Sequence, residues 1–199
     1  MTSEAPAGLR EQKKAEARVA IVTAALRLFH KRGFGEVTID EIAELAHVSR
    51  RTFFRYFPTK EDVVLERRRQ QLETFRAALA SLEGSASGVV REAFALVAAD
   101  YQKNKARILS ERALLASARD LRVRDLEIDR EFELAIVEAV VARSSSRTKD
   151  QRAARFFAAA AMGVVRVVID EWAESGGDAS IEALGRDALD AVAELLPTA

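Results

Sequence analysis

"TIDEIAELAHVSRRTFFRYFP", residues 38–58, decides how the rest of the chain is read. It holds two short segments of helical apolar spacing, separated by the break "AHVS". Thr38 and Glu41 stand at capping-box spacing, where a hydroxyl and a carboxylate each satisfy an orphan backbone amide. Ser49 is placed to cap the second segment, and Pro58 must end it, because proline disfavours helix in the residue before it. Ile42, Ala43, Leu45, Val48, Phe53 and Phe57 form one apolar set, and Ala43 is small where a second helix has to cross closely. Two short helices on a tight turn are the spacing of a helix-turn-helix. Between Val48 and Lys60 the chain carries four basic and four aromatic side chains. That is too many cations for a core helix and too many rings for a solvated face. The second helix of such a unit lies in the DNA major groove with its N-terminal residues toward the base edges. Here those residues are Ser49, Arg50, Arg51 and Thr52, followed by Phe54, Arg55 and Tyr56. Arginine can pair bidentately with guanine and rings can meet thymine methyls, while hydroxyl and ammonium groups reach phosphates.

Outward from this stretch, apolar residues recur at helical spacing almost everywhere, alternating strand-type runs are absent, and only three Pro and nine Gly break the chain. The expectation is an all-α protein of about nine helices. The first runs from about Lys14 to Arg32, with Ala17, Ile21, Ala24, Ala25, Leu28 and Phe29 as its apolar face and Gly33 as a left-handed stop. A long fourth helix follows from about Lys60 to Leu82, opened by Pro58 or Thr59. Further helices are expected at about 88–103, 105–117, 119–143, 150–174 and 180–196, with "GSASG" (84–88), "SSSRTK" (144–149) and "SGGD" (175–178) as loops. The domains expected are a flexible basic arm over 1–13, a three-helix helix-turn-helix domain over 14–60 and a helical bundle over 61–199. Arg10, Lys13 and Lys14 would either touch phosphate from that arm or belong to a solvated tail.

The formal net charge is zero, but residues 9–60 hold eleven Lys/Arg against six Asp/Glu, and residues 61–199 hold twenty against twenty-four. A basic N-terminal quarter on a mildly acidic remainder suits a polyanion-binding module, although chance clustering would give the same shift. With no Cys there is no disulfide framework and no thiolate chemistry. The N-terminus lacks an apolar signal-peptide core, and the longest apolar run, Phe156 to Val165, falls short of the ~18 residues a membrane span needs. A soluble, cytoplasmic protein with no membrane partner is expected. Glu44 and His47 have the Glu-x-x-His spacing of carboxylate-bridged di-iron bundles, but such a site needs the motif twice and the chain has two His in all. No Ser-His-Asp set, phosphate-cradling loop or Rossmann fingerprint is present. No enzymatic activity, metal or cofactor is expected.

"GFGEVTIDEIAELAHVSRRTFFRYFPTKEDVV", residues 33–64, resembles the DNA-binding domain of the tetracycline-repressor (TetR-type) family of bacterial transcription regulators. The features that carry the likeness are Gly33-Phe34, Thr38, "IAELA", "VS", the "TFFRYF" block, Pro58 and Lys60-Glu61. "RTFFRYF" and the later "NKARILSERALLASA" look most like regulators of actinobacteria. The resemblance implies that Thr38 contacts phosphate, that Arg50, Arg51 and Thr52 face bases, that Phe54 and Arg55 lie along the groove, and that Tyr56 and Lys60 grip phosphates. Phe53 and Phe57 would be core. One position departs from the helix-turn-helix pattern: His47 stands where glycine is common, and must take a left-handed backbone there.

In residues 61–199, Phe75, Leu79, Phe94, Val97, Tyr101, Leu109, Leu115, Phe132, Ile136, Phe157 and Trp172 either line a pocket or form ordinary core. Arg166 interrupts an apolar stretch, so it must pair with a carboxylate, reach solvent or meet an anionic ligand. Ala158, Ala161, Met162, Val165, Ile169, Ile181, Leu184, Leu189, Val192 and Leu195 give two adjacent helices a wide apolar surface, which intrachain packing would also explain. The resemblance implies a four-helix homodimer interface there. It further implies a repressor that binds a pseudo-palindromic double-stranded DNA operator as a dimer. An apolar or amphipathic small-molecule effector, of which an acyl-thioester is one candidate, would release it. The rivals are a helical protein-interaction module and a helical-bundle enzyme, neither binding DNA.

Overall fold

The computed structural model describes the backbone of residues 5–144 and 147–193 and, within these, the side chains of residues 11–144, 151–188 and 190. Nine α-helices and no strands occur among the described residues: α1 Ala5–Arg32, α2 Ile39–Leu45, α3 Arg50–Tyr56, α4 Lys60–Ser81, α5 Ala86–Lys103, α6 Lys105–Ser117, α7 Arg119–Ala142, α8 Arg147–Glu174 and α9 Ile181–Ala193. Three helices start before the positions expected from sequence. α1 begins at Ala5 rather than near Lys14, with Pro6 in the first turn, where a missing amide costs nothing. α5 begins inside "GSASG" because the Ser85 side chain accepts the Gly88 amide and caps it. α8 begins at Arg147, inside "SSSRTK".

The chain forms two compact units. One comprises the residues up to Glu66 together with Glu111–Arg122; the other comprises Arg67–Ser110 and the residues from Val123 onward. The first unit therefore runs past the boundary read at residue 60 and takes in a segment fifty residues downstream, a return of the chain that no local signal marks. Its core is built from the α1 stripe Ile21, Val22, Ala24, Ala25 and Phe29, joined by Phe34, Val37, Ile42, Ala43, Phe53, Phe57 and Val63–Leu65, all buried. Ala17 and Leu28, at the edges of that stripe, are half-buried. Gly33 stops α1 at φ +87°, its amide bonded to the Phe29 carbonyl at 2.8 Å.

In the second unit Phe75 sits against Phe94 and Phe132, with ring centroids 4.5 and 5.1 Å away. Tyr101 meets Trp172 edge-on at 5.3 Å. Arg143 closes the end of α4 by donating to the Leu79 and Leu82 carbonyls at 2.8 and 2.9 Å. α9 packs on both α5 and α8. The connection between α8 and α9 closes with Gly177 donating to the Trp172 carbonyl at 2.8 Å and Gly176 to Ala173 at 3.0 Å, both glycines at positive φ.

Gly177 is the tightest of these positions. At φ +77°, an added Cβ would stand 2.9 Å from Trp172 Cζ2 and 2.8 Å from Lys105 Cε. The lysine stem can swing away, but the buried indole cannot. Gly177→Ala is expected to lower unfolding stability by about 2–4 kcal/mol, combining left-handed strain with overpacking. A urea midpoint followed by the fluorescence of Trp172, the sole tryptophan, measures it; an unchanged midpoint would show that the turn relaxes freely.

Candidate nucleic-acid interface and ligand cavity

The turn between α2 and α3 is set by short-range hydrogen bonds. Thr38 and Glu41 form both halves of a capping box, with the Thr38 amide 2.9 Å from Glu41 Oε2 and the Glu41 amide 3.3 Å from the Thr38 hydroxyl. Arg32 donates to the other Glu41 oxygen and, at 2.9 Å, to the Glu36 carbonyl. The hydrogen bond from Arg32, followed by those from Thr38, lowers the Glu41 pKa from 4.5 to about 2. α2 ends in a Schellman motif: Val48 donates to Ala43 at 2.9 Å and His47 to Glu44 at 3.1 Å, with His47 at φ +54°. The left-handed residue is the exposed His47, so its side chain meets no steric demand beyond the backbone cost.

Ser49 caps α3 by accepting the Thr52 amide at 3.0 Å, and the Ser49 and Thr52 hydroxyls lie 2.9 Å apart. Phe53 and Phe57 are 0% and 2% exposed, whereas Ser49, Arg50, Arg51, Phe54 and Arg55 are exposed and Thr52 and Tyr56 half-buried. Leu45, expected in this core, is 37% exposed: it sits in the last turn of α2, turned away from the Ile42–Ala43 contact. The outward side chains are not equivalent. Arg50 Nη1 donates to both Asp40 oxygens, at 2.7 and 2.6 Å, with its guanidinium over the Phe54 ring. Arg55 lies over Tyr56 and donates to its hydroxyl at 3.0 Å. Arg51 makes no ion pair or hydrogen bond among the described residues. Asp40 escaped the sequence reading because its partner is ten residues away on another helix.

The Lys60 ammonium, expected on phosphate, donates in this structure to the Phe34, Val37 and Gly35 carbonyls at 2.8, 3.0 and 3.5 Å. It also sits 4.5 Å from the Phe34 ring centroid. An ammonium has three donors, and all three are committed to closing the segment between α1 and α2. Nearby, Arg18 pairs with the buried Glu66 and covers the Phe57 ring. Lys13 and Lys14 are exposed on α1, and the Arg10 side chain lies outside the described residues.

The second unit contains a cavity of about 600 Å³. Its depth is apolar, with Phe94, Val97, Ala98 and Tyr101 from α5, Phe132 from α7, Met162, Val165, Val168 and Ile169 from α8, and Ile181 from α9. Arg68 enters it from α4, while Glu83, Ser85, Arg91, Glu92, Glu182 and Arg186 form a rim of exposed residues. Arg68 Nε donates to Asp125 at 2.9 Å and Nη2 to Asp129, whose other oxygen accepts from Arg166 at 3.3 Å. Burial opposes the Arg68 cation, but Asp125, Tyr101 and Asp129 outweigh it and raise its pKa. Burial also raises the Asp129 carboxyl, against the pull of Arg68. Arg166 thus meets the Asp129 carboxylate while remaining exposed.

Three comparisons bear on this geometry. The model of the family "Bacterial regulatory proteins, tetR family" matches residues 21–66. The transcriptional regulator TcmR of Streptomyces glaucescens is 30% identical over 188 residues, which is 89% of this chain and 81% of TcmR. The chain belongs to the TetR family. It is a DNA-binding transcriptional regulator with an N-terminal helix-turn-helix and a C-terminal helical ligand-binding domain. Among solved structures, Thermus thermophilus FadR, a TetR-family repressor in complex with lauroyl-CoA, is 26% identical with a TM-score of 0.58, covering 92% of this chain and 96% of FadR. NalD of Pseudomonas aeruginosa shares the fold at 19% identity and a TM-score of 0.63, over 93% of this chain and 98% of NalD.

Within the TetR-type C-terminal domain, the structure redistributes the residues singled out from sequence. Phe94, Val97, Tyr101 and Phe132 line the cavity; Phe75, Leu79, Ile136, Phe157 and Trp172 are buried but do not line it, Leu109 is half-buried, and Arg166 is exposed outside it, while Leu115 is buried in the first unit. Met162, Val165, Ile169 and Ile181, expected at a dimer interface, line the cavity instead, and Ala158 and Ala161 are 1% and 0% exposed within the protomer. An apolar period identifies stripes, but cannot say which stripe of a helix faces its own fold. Leu184 is half-buried, while the side chains of Leu189 and Val192, and Leu195 altogether, lie outside the described residues. The outward stripe of α8 is a different one: Phe156 and Val167 are 64% and 56% exposed, with Ala159 exposed and Ala160, Gly163 and Val164 half-buried between them. Among the described residues no helix is long and apolar enough to cross a membrane.

Two outcomes follow for the helix-turn-helix unit. Because the folded pKa of Glu41 lies below its ordinary value, the stability it contributes is complete above about pH 4.5 and is lost as pH falls through about 2. An NMR titration of its carboxyl carbon should have its midpoint near that lower value, and an ordinary midpoint would show the cap unformed. Lys60→Ala should destabilise the fold by about 1–3 kcal/mol while leaving the salt dependence of DNA binding by the folded protein unchanged. A shallower salt slope would return Lys60 to the phosphates.

Proposed function

We propose that this regulator is a homodimeric repressor that binds a pseudo-palindromic operator through α3 and is released by a small, largely apolar effector held in the C-terminal cavity. The observation that carries the reading is the division of α3 into a buried side, Phe53 and Phe57, and an exposed side bearing Arg50, Arg51, Phe54 and Arg55. A seven-residue helix has no reason to display three cations and a ring to water unless a polyanion with apolar base edges meets them. Arg51, with no partner among the described residues, is the base reader that DNA engages at least cost. Arg50 reads a base after leaving Asp40. Thr52 faces the bases beside Arg51, Thr38, Ser49 and Tyr56 supply hydroxyls to the phosphates, and Phe54 and Arg55 lie along the groove.

Dimerisation uses the outward α8 stripe. Phe156, Ala160, Gly163 and Val167 recur at three- and four-residue spacing, and the small residues between the two large ones let a second helix approach closely. A two-fold pair of protomers sets two α3 helices on successive major grooves. The cavity serves the effector, a role supported by the likeness to FadR, a repressor in complex with lauroyl-CoA. Release requires that effector and operator favour different conformations of the dimer. The reading assigns the chain no catalytic step.

Duplexes selected from a random pool, followed by gel shift across a salt series, test this. Binding should weaken steeply with salt, with two protomers per duplex by sedimentation. Arg51→Ala should cost about 1–3 kcal/mol, with discrimination lost at one base position per half-site. Salt-insensitive binding, or binding without sequence preference, would overturn the reading.

A further inference from the structure

Two neighbouring carboxylates in the first turn of α2 have different commitments. Both Glu41 oxygens are used within the fold, Oε1 by Arg32 and Oε2 by the Thr38 amide and hydroxyl at 2.9 Å. Asp40 is exposed, and among the described residues its one partner is Arg50, whose Nη1 lies 2.7 and 2.6 Å from its two oxygens. The Phe54 ring lies against the same guanidinium, its centroid 5.4 Å away. Asp40 is thus within hydrogen-bond distance of a side chain that faces base edges in the complex proposed above. Whatever base edge meets Arg50 lies within reach of Asp40 as well.

A carboxylate at that place is costly unless a donor answers it. In the free protein Arg50 supplies the donor. On a duplex the surroundings are phosphates, which repel an anion, and base edges, of which only some carry N–H groups. When Arg50 turns to a guanine, Asp40 loses its partner just as water is displaced around it, and an unpaired carboxylate in a drier site is unfavourable. The major groove offers two donors, cytosine N4 and adenine N6. Adenine sets its N7 acceptor beside the amine, guanine shows acceptors only, and thymine shows O4 and a methyl. Cytosine alone presents a donor with no acceptor beside it on the same base. The helix dipole also favours an acid in a first turn, but Glu41 already fills that role, and it requires no contact with Arg50.

We propose that Asp40 reads a base: as Arg50 donates to a guanine, the Asp40 carboxylate accepts from the N4 amine of a cytosine in the same base pair or the adjoining one. The two side chains touch in the free protein, so the bases they meet must be equally close. In a G·C pair the guanine O6 and cytosine N4 are themselves joined by a hydrogen bond, so an arginine and a carboxylate already in contact match that edge in spacing and in polarity. Specificity then comes from two helices, a donor on α3 and an acceptor on α2, and wrong pairs are rejected because like groups face each other. The proposal rests on the reading of α3 as the recognition helix.

The test uses the full-length protein and the highest-affinity duplex selected from a random pool, remade with N4-methylcytosine at each cytosine in turn. That base still pairs with guanine but carries a methyl in place of the groove-facing N–H. Competition gel shifts at one salt concentration should show a cytosine in each half-site where the methyl weakens binding by roughly tenfold. Asp40→Ala should bind the methylated and plain duplexes equally. Asp40→Asn should move the preference at that position to adenine, whose N6 and N7 an amide meets together. Arg50→Ala should lose discrimination at the guanine and keep the sensitivity to the methyl. Methylation tolerated at every cytosine, or felt equally by Asp40→Ala, overturns the proposal. So does loss of methyl sensitivity in Arg50→Ala, which would make Asp40 a support for Arg50 and nothing more. If Asp40→Ala fails to fold, the isosteric Asp40→Asn decides, a shift to adenine supporting the proposal and an unchanged cytosine preference overturning it. Binding of the unaltered protein without sequence preference would instead overturn the regulator reading itself.

Discussion

Everything the DNA-binding unit does depends on the burial of Phe53 and Phe57. A helix of seven residues is not stable in water by itself, since nucleation consumes most of what so few hydrogen bonds return. Two phenyl rings on one side of α3, closed at 0% and 2% exposure, supply that stability and fix the rotation of the helix about its axis. Once that rotation is set, Arg50, Arg51, Phe54 and Arg55 have only the solvent side left. The flanking devices serve the same end: the capping box at Thr38, the left-handed His47, the Ser49 cap and the Lys60 ammonium tied to three carbonyls. Each restricts the backbone on either side of α3, so that the outward residues are presented as a rigid set.

The second unit solves a different problem. Its helices carry more apolar surface than they bury among themselves, and the surplus divides between an inward cavity and an outward stripe on α8. Charged side chains of this unit pair across its helices. Arg68 and Arg166 meet Asp125 and Asp129, while Asp100 accepts from Arg67, Gln71 and Asn104. Such groups contribute little net stability, because desolvation offsets most of their attraction.

Much of the local structure was legible in the residues. Thr38 with Glu41, Ser49, Pro58 and Gly33 are signals whose effect is complete within five residues, and helices end where they say. The positive φ of His47 was legible for the same reason. The missed start of α1 had a local signal as well, since Pro6 is a residue that helices accept in the first turn. Residues acting across long separations were not legible. The partners of Lys60 lie 23 to 26 residues away and those of Arg68 57 and 61, and nothing in their spacing marks either pairing. Aromatic residues of the second unit split between cavity and core on grounds of depth alone, a property that no period of 3.6 encodes.

By itself, then, the sequence determined the all-α class, the order and ends of most helices, and the helix-turn-helix with its inner and outer residues, because capping, turn geometry and amphipathic period act through near neighbours in the chain. Only the tertiary structure decided that Arg51 makes no ion pair or hydrogen bond among the described residues, that Arg50 is tied to Asp40, and that Lys60 is bonded to three carbonyls. It likewise decided that Met162, Val165, Ile169 and Ile181 face a cavity while Phe156 and Val167 face outward. Those outcomes depend on which groups meet across tens of residues and on how deeply each is removed from water, and both are settled when the helices pack.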